Sequence, residues 1–268
     1  MRMKSLASGS SGNAIYVGSE TTHLLVDAGI SGKRIEEGLE QLELTCKDLD
    51  AILVTHEHSD HIGGLGVLSR RYDIPIYTTR GTMDGIYEGR NRKVVGEIDA
   101  SLFQIIQPDE RFIIKDISIQ PIRISHDAKE PVAFKFMYGS QKTAVMTDLG
   151  VYDEYILGSL QGLDAVFLEA NHDVRMLQLG RYPYPLKQRI LGKHGHLSNE
   201  ASGRLLSQIL HDHMGSVVLS HLSQENNLPE LAYEAVRLEI TASDTPYTGD
   251  DFEIMVADRY QPSCLIRI

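Results

Sequence analysis

The chain has 268 residues, a length that suits one large domain or two small ones. Hydrophobic residues make up 42% and charged residues 24%, so a sizeable core can be buried and a disordered chain is excluded as the default. The formal net charge of −11 argues against a general basic surface for nucleic acid. It does not exclude a nucleic-acid substrate at a local positive site, such as bound cations would create.

The cysteine content and the hydropathy pattern indicate a compartment. Two cysteines, Cys46 and Cys264, are too few and too far apart for a disulfide framework or a cysteine-based zinc site. We therefore expect a reducing compartment, the cytoplasm. Residues 1–13 lack the apolar segment of a secretory signal, and no apolar run approaches the ~18 residues that span a bilayer, so no membrane attachment is expected.

Short apolar runs bounded by turn residues predict alternating strands and helices in the first half of the chain. Ser31 is placed to cap the first helix. We predict strands at 13–18, 22–27, 50–55 and 74–79, helices at 31–43, 62–72 and 81–90, and further strands at 102–106, 111–114, 117–124, 132–138 and 142–147. The first two strands are expected to pair with each other.

The second half alternates in the same way. We predict helices at 152–160, 198–211 and 228–240 and strands at 164–169, 216–220, 252–257 and 264–267. Helices that flank packed sheets indicate an α/β protein with the four layers αββα. No repeat and no domain boundary is visible, so we expect residues 1–268 to form a single domain.

A basic segment stands apart from this pattern. Residues 174–199 contain five arginines and lysines and no acidic residue. They also contain Tyr182-Pro183-Tyr184-Pro185, which cannot lie inside an ordinary helix. We interpret the region near 174–197 as a basic loop insertion beside the fold.

The strongest chemical signal is HisGluHisSerAspHis at His56–His61, directly after the apolar strand 50–55. Alternate side chains of an extended backbone face the same way, so His56 and His58 can bind one ion. Asp60 and His61 can bind a neighbouring one. Imidazole and carboxylate ligands together accept zinc, manganese or iron.

Four other apolar strands each deliver one polar residue of ligand type at the C-terminal end. These residues are Asp27, His126, Asp148 and His221. A single histidine or aspartate at a strand end is usually a cap or part of a turn. Repetition of the pattern alongside the His56–His61 cluster favours a shared metal site.

The order Asp, HisXHisXAspHis, His, Asp, His along residues 22–221 resembles the metallo-β-lactamase superfamily. The resemblance implies one ion on His56, His58 and His126, a second on Asp60, His61 and His221, and Asp148 bridging both. It implies that Asp27 is structural and hydrogen-bonds within the metal loop, which would fix the orientation of the ligands.

Two further segments narrow the resemblance. LeuGluAlaAsnHisAsp at 168–173 and GlyHisLeuSerAsn at 195–199 resemble the phosphodiesterase branch that includes the tRNA 3′-processing endonucleases. In that branch a Glu–His pair assists proton transfer, a role that residue matching gives to Glu169 and His196. No long glycine-rich arm that would clamp tRNA is present. The loop Ser8–Asn13 and LeuValAspAlaGlyIleSerGlyLys at 25–33 look more like the bacterial YycJ/WalJ group, whose members have been associated with exonuclease activity on DNA.

The resemblance therefore predicts a dinuclear-metal phosphodiesterase, a nuclease that hydrolyses DNA in the 5′-3′ direction through a metal-bridged hydroxide. The ions would lower the pKa of water and neutralise charge on the phosphate oxygens. Asp60, Glu169 and His196 are the candidate catalytic residues, and His196 would donate a proton to the departing oxygen.

Residues that could bind the substrate lie mainly in the basic segment. Arg175, Arg181 and Arg189 could pair with phosphates, and Tyr182 and Tyr184 could stack on bases. A merely solvated loop is the alternative. Ser10 in the Ser8–Asn13 loop could approach phosphate, although a plain hairpin turn explains that loop equally well.

Other functions remain open at this point. The chain could be an RNA phosphodiesterase, or an ester or thioester hydrolase of the glyoxalase II type, in which the same metals would polarise a carbonyl. A degenerate, non-enzymatic member is disfavoured because no ligand is missing. A redox diiron role is disfavoured because no flavin-binding domain follows.

Overall fold

The computed structural model describes all 268 residues, and most apolar runs of the sequence form strands in it. The strands are Arg2–Ala7 (β1), Ala14–Gly18 (β2), His23–Val26 (β3), Ala51–Leu53 (β4), Ile76–Thr78 (β5), Phe103–Ile105 (β6), Phe112–Ile114 (β7), Ile117–Arg123 (β8), Val132–Tyr138 (β9), Gln141–Met146 (β10), Ala165–Glu169 (β11), Ser216–Ser220 (β12), Glu253–Val256 (β13) and Ile266–Arg267 (β14). The α-helices are Gly32–Glu40 (α1), Ser59–Ile62 (α2), Leu65–Tyr72 (α3), Arg80–Ile86 (α4), Gly89–Val95 (α5), Glu154–Leu160 (α6), Val174–Leu179 (α7), Tyr184–Leu191 (α8), Asn199–Ile209 (α9) and Pro229–Ala242 (α10).

The chain divides into two compact units, which we describe separately. Unit 1 comprises Met1–Arg123, Ala128–Gly139 and Asp258–Arg267. Unit 2 comprises Ile124–Asp127, Ser140–Ala257 and Ile268. The single domain over 1–268 stays a prediction. None of the helices combines the length and the apolarity needed to cross a membrane.

Unit 1 contains a sheet in the order β14-β1-β2-β3-β4-β5-β6. The predicted pairing of the two early strands is confirmed, because β2 and β3 are antiparallel with Ile15 opposite Val26. From β3 to β6 the neighbours are parallel. The strands β7, β8 and β9 of the same unit form an antiparallel meander.

A hydrophobic core lies on the helical side of the first sheet of unit 1. Helix α1 begins at the N-cap Ser31, as predicted, and buries Ile35 and Leu39 on one face. Leu25 and Ile52 of the two central parallel strands are fully buried in the same cluster. This packing fixes the carboxyl ends of β3 and β4.

Unit 2 contains four parallel strands in the order β10-β11-β12-β13. Val145, Phe167 and Val218 pair across the first three of these strands and are buried. Helix α10 buries Val236 and Ile240, four residues apart on one face. The unit therefore has the parallel strands and covering helices that the sequence pattern predicts.

Three differences from the predicted elements have local causes. The strand β1 is missed because Lys4 interrupts its apolar pattern, although that side chain is 6% exposed and its Nζ donates to Gln41 Oε1 at 2.9 Å. The helix predicted at 62–72 is divided at Gly63 and Gly64 into α2 and α3. The segment near 174–197 is not the predicted loop, because α7 and α8 lie within it.

Candidate metal-binding site

The HisXHisXAspHis segment leaves the carboxyl end of β4 in unit 1. His56 and His61 are fully buried, whereas His58 and Asp60 are partly exposed. His56 Nε2 lies 3.0 Å from His58 Nδ1, and His61 Nε2 lies 3.5 Å from Asp60 Oδ2. The segment therefore brings His56 close to His58 and Asp60 close to His61, and their role as ligands stays a prediction.

Asp27 orients two of these histidines from beneath. His61 Nδ1 donates to Asp27 Oδ2 at 2.7 Å. The backbone N–H and the hydroxyl of Thr55 both donate to Asp27, and Thr55 Oγ1 lies 3.0 Å from His56 Nδ1. Because Nδ1 of each ring is engaged, Nε2 is the nitrogen that each ring would offer to a metal ion. The predicted hydrogen bonding of Asp27 within this segment is confirmed.

The loop Ser8–Asn13 joins β1 to β2 as a turn and packs against the ligand segment. Gly12 N donates to Gly9 O at 3.0 Å, and Asn13 N donates to Asp60 O at 2.8 Å. Gly29 lies equally close, since a Cβ built on it would meet Asp60 O at 1.7 Å. Ser10 is exposed, and its Oγ accepts from Arg259 Nη1 at 3.4 Å.

In unit 2, three adjacent parallel strands each deliver one polar side chain at the same edge. Glu169 ends β11, Asp148 follows β10, and His221 follows β12. The carboxyl ends of parallel strands are the usual place for a functional site in such sheets. Single ligand atoms of these three residues and of His196 lie within 4.8 Å of one another.

Glu169 organises this group from a fully buried position. Its Oε2 accepts from Nδ1 of His196 at 2.8 Å and from Nδ1 of His221 at 3.1 Å. Its two oxygens also accept from the backbone N–H groups of Asp148, Leu149 and Leu197. Burial would raise the pKa of Glu169, but the charges and hydrogen bonds of the two imidazoles lower this pKa to about 2. Glu169 is therefore an anion that orients two rings through Nδ1.

The same carboxylate determines the charge of His196. Burial would lower the pKa of His196, but the charge and hydrogen bond of Glu169 raise it above its ordinary value. The side chain of His196 is 18% exposed, whereas that of His221 is 2% exposed. Of the two rings that Glu169 orients, His196 is therefore the one that solvent or a substrate can reach.

His126, the remaining ligand candidate, is oriented by the backbone of unit 2. Its Nδ1 donates to Gly195 O at 3.1 Å, which leaves Nε2 directed elsewhere. This Nε2 lies 3.7 Å from Asp148 Oδ1. Nε2 of His221 also lies near that oxygen, at 3.5 Å.

Three site residues hold a left-handed backbone conformation. The φ angles are 60° at Asp27, 59° at Asp148 and 54° at His221. This conformation costs roughly 1–2 kcal/mol for a residue with a side chain, and it concentrates at functional sites. Nothing in the sequence signals it, because all three positions look like ordinary strand ends.

The donor set suits divalent metal ions. Each unit brings imidazole nitrogens and carboxylate oxygens close together in buried positions, and a buried carboxylate fixes the rings through the opposite nitrogen. Carboxylate–histidine pairs of this kind support metal ligands in many proteins. The prediction of divalent metal ions is confirmed at this level, and their identity stays a prediction.

The cationic side chains of the basic segment differ in whether they already have a partner in the protein. Arg189 forms an ion pair with Asp127, and Lys187 Nζ donates to Gln178 O at 2.7 Å. Arg175 and Arg181 are exposed and have neither a hydrogen bond nor an ion pair. Only these last two guanidinium groups can bind a ligand without first breaking a contact.

The sequence analysis missed the polar residues that support the ligands. Thr55 connects His56 to Asp27, and Asn171 Nδ2 donates to His221 O at 2.9 Å. Asn227 in turn donates to the carbonyl of Asn171 at 3.1 Å. For Thr55 and Asn171 the available signal was their position close to a candidate ligand or acid at the end of an apolar strand.

The chain belongs to the β-lactamase superfamily, since residues 22–241 match the model described as the Beta-lactamase superfamily domain. It is similar over almost its full length to exodeoxyribonuclease YycJ of Bacillus anthracis, with 40% identity over 258 residues that cover 96% of each chain. Exodeoxyribonuclease WalJ of Streptococcus pneumoniae is 40% identical over 249 residues, which cover 93% of this chain and 91% of that protein.

The metallo-β-lactamase fold protein YhfI of Bacillus subtilis has a similar structure. The TM-score is 0.66 at 17% identity, with 98% of each chain covered. The predicted αββα fold class and the resemblance to the YycJ/WalJ group are both confirmed by these matches.

Proposed function

We propose that the chain is a metal-dependent phosphodiesterase, a nuclease that hydrolyses DNA. The observation that carries the proposal is the pair of buried Glu169 and partly exposed His196 beside Asp148 and His221, in a chain 40% identical to two proteins named exodeoxyribonuclease. A fixed acid–base group beside a metal site suits departure of an alkoxide from phosphorus.

The ligand assignment is part of this proposal. One ion would be held by His56, His58 and His126, a second by Asp60, His61 and His221, with Asp148 shared. The supporting observation is that four of the proposed ligand histidines are each held through Nδ1, so that Nε2 would be the ligand atom; they are His56, His61, His126 and His221. Two divalent ions, zinc, manganese or iron, would supply Lewis acidity and lower the pKa of water.

His196 would hold and deliver the proton that the leaving oxygen requires. Glu169 keeps Nδ1 of His196 engaged at 2.8 Å, so the exchangeable proton is presented on Nε2. Glu169 itself is 0% exposed and cannot touch a substrate. It acts through His196 as a positioning residue, and Asp60 would act as a ligand.

The basic side chains would hold the phosphate backbone near this group. Arg175 and Arg181 would bind phosphate directly, and Arg189 would do so only after release from Asp127. Ser10 would contribute from the turn between β1 and β2. The absence of pairing between the buried Cys46 and the exposed Cys264 suits the cytoplasm.

The test is a panel of end-labelled single- and double-stranded DNA and RNA, with Zn²⁺ or Mn²⁺ added. We expect mononucleotide release from DNA, with a 5′-phosphate preference. In the His196→Ala variant, turnover should fall by about 10²–10⁴-fold while the metal content is retained. His213→Ala, which changes an exposed histidine, is the matched control.

Two results would contradict the proposal. Loss of metal in His196→Ala would remove the proton-transfer role. Cleavage of a thioester such as a glutathione ester, with no cleavage of bis(p-nitrophenyl) phosphate, would replace the phosphodiesterase by a hydrolase of the glyoxalase II type.

A further inference from the structure

The short helices α7 and α8 follow one another within unit 2, between Glu169 and His196. This segment contributes positive charge without any acidic residue over 174–199, in a chain whose net charge is −11. The turn between the two helices contains Pro183, which is the N-cap of α8, and Pro185 occupies the first turn of that helix. The prolines thus start α8.

A pocket of about 660 Å³ lies on α7 and the turn that follows it. It is lined by Arg175, Met176, Leu179, Gly180, Arg181 and Glu225. The volume is within the range of small-molecule sites. The lining combines two guanidinium groups, two apolar side chains and one carboxylate at an exposed position.

The pocket contains unpaired positive charge and exposed apolar surface, and a ligand would cover both. Neither guanidinium group has a partner, and Leu179 is 88% exposed. An isolated exposed leucine is ordinary. An exposed leucine together with Met176 and two unpaired arginines offers both an apolar face and an anion site.

The pocket is joined to the candidate metal ligands of unit 2 by short connections. Asp173, the N-cap of α7, donates its N–H to Asn226 O at 2.9 Å. Gly180 is packed against the same residue, because a Cβ there would lie 2.6 Å from Asn226 Oδ1. Glu225 follows His221 by four residues, so the two Cα atoms are at most about 14 Å apart.

A strand whose scissile phosphate lies beside the candidate ligand His221 would therefore have a nucleotide a few steps away within reach of the pocket. The excess of positive over negative charge in the lining matches a phosphodiester anion.

We infer that this pocket is a subsite for one nucleotide of the substrate strand. Arg175 and Arg181 bind its phosphate, and Met176 and Leu179 contact its base or sugar. The inference rests on the proposed nuclease function and adds the position of a nucleotide that is not itself cleaved. Glu225 restricts the pocket to one anionic group, since a second phosphate would face its carboxylate.

The experiment uses the full chain as purified, labelled with ¹³C-methyl methionine, and titrates dAMP. The Met176 signal, assigned by Met176→Leu, reports this pocket separately from any nucleotide at the metal ligands. We expect a saturable shift of that signal. We expect at least tenfold weaker binding of dAMP at that signal in Arg175→Ala/Arg181→Ala, because two charge-assisted hydrogen bonds are lost.

The matched control is Arg90→Ala/Lys93→Ala, which removes two exposed charges from α5 and should leave the titration unchanged. Leu179→Ala should weaken dAMP binding and leave binding of inorganic phosphate unaltered. An unmoved Met176 signal overturns the inference. Equal affinity for phosphate and dAMP overturns it as well, since the apolar side chains would then contribute nothing. Neither result depends on hydrolysis, so failure of the nuclease proposal is seen separately in the DNA panel.

Discussion

Replacing Glu169 with glutamine removes the one negative charge on which two imidazoles and three backbone N–H groups of unit 2 converge. In the metal-free folded protein the pKa of Glu169 is lowered from its ordinary 4.5 to about 2. At about 1.4 kcal/mol per pH unit, that difference corresponds to about 3 kcal/mol of folding free energy. Breaking a buried charge pair costs a similar amount.

The sign of the pH dependence follows from the lowered pKa of Glu169. The stabilisation is fully present above the unfolded value of 4.5 and is lost as the pH falls towards 2. Urea unfolding of the metal-free parent and of Glu169→Gln should therefore differ by about 3 kcal/mol at pH 7 and by less than half of that at pH 3. Glu20→Gln, at an exposed position, should differ from the parent at neither pH. A gap for Glu169→Gln that is absent at pH 7, or equally large at both pH values, would refute the reasoning.

Three further outcomes are expected. Burial raises the pKa of the Cys46 thiol, so a thiol reagent should modify only Cys264 in the folded chain and both thiols in urea; rapid reaction of two thiols in the folded chain would contradict the buried position. Asp27→Asn should weaken metal affinity about 10–100-fold, measured by competition with a chromophoric chelator, and unchanged affinity would remove its orienting role. Gly29→Ala should lower the free energy of unfolding by about 1–3 kcal/mol, since its Cβ meets backbone at 1.7 Å, whereas Gly158→Ala in open space should be neutral or slightly stabilising.

The parts of the fold that the sequence predicted are those where local pattern and packing agree. The strands β9 and β12 have the predicted bounds 132–138 and 216–220, because each is an apolar run closed by turn residues. The helix near 81–90 instead becomes α4 and α5, which are separated by Tyr87 and Glu88, and α5 begins at Gly89 with a φ of 51°. Where a glycine carries a positive φ, hydrophobic periodicity alone does not locate the break.

The candidate ligands were predictable because each follows an apolar strand, and such strands place their ends at one edge of a sheet. The supporting shell was not predictable in the same way. Thr55 and Asn171 act through hydrogen bonds to residues whose positions depend on tertiary packing. The helices α7 and α8 were missed because two prolines were taken as evidence for a loop, whereas they begin α8.

The sequence also could not show which arginines are paired with an acidic residue. Arg189 looked equivalent to Arg175 and Arg181, yet it is paired with Asp127, a residue 62 positions away. An ion pair between residues so far apart in the chain depends on the fold, so no local sequence pattern predicts it. The structure thus distinguishes two available guanidinium groups from one that is occupied.

The segment that contains α7 and α8 begins and ends at residues whose positions are fixed by hydrogen bonds. Glu169 closes the strand before it, and His196 N donates to Ile190 O at 3.0 Å where the chain returns. Mutations in α7 and α8 can thus alter which molecules bind, while Glu169 and His196 keep their hydrogen bond. Substrate specificity can thus change in α7 and α8, while the residues for the chemical step stay the same at either end of that segment.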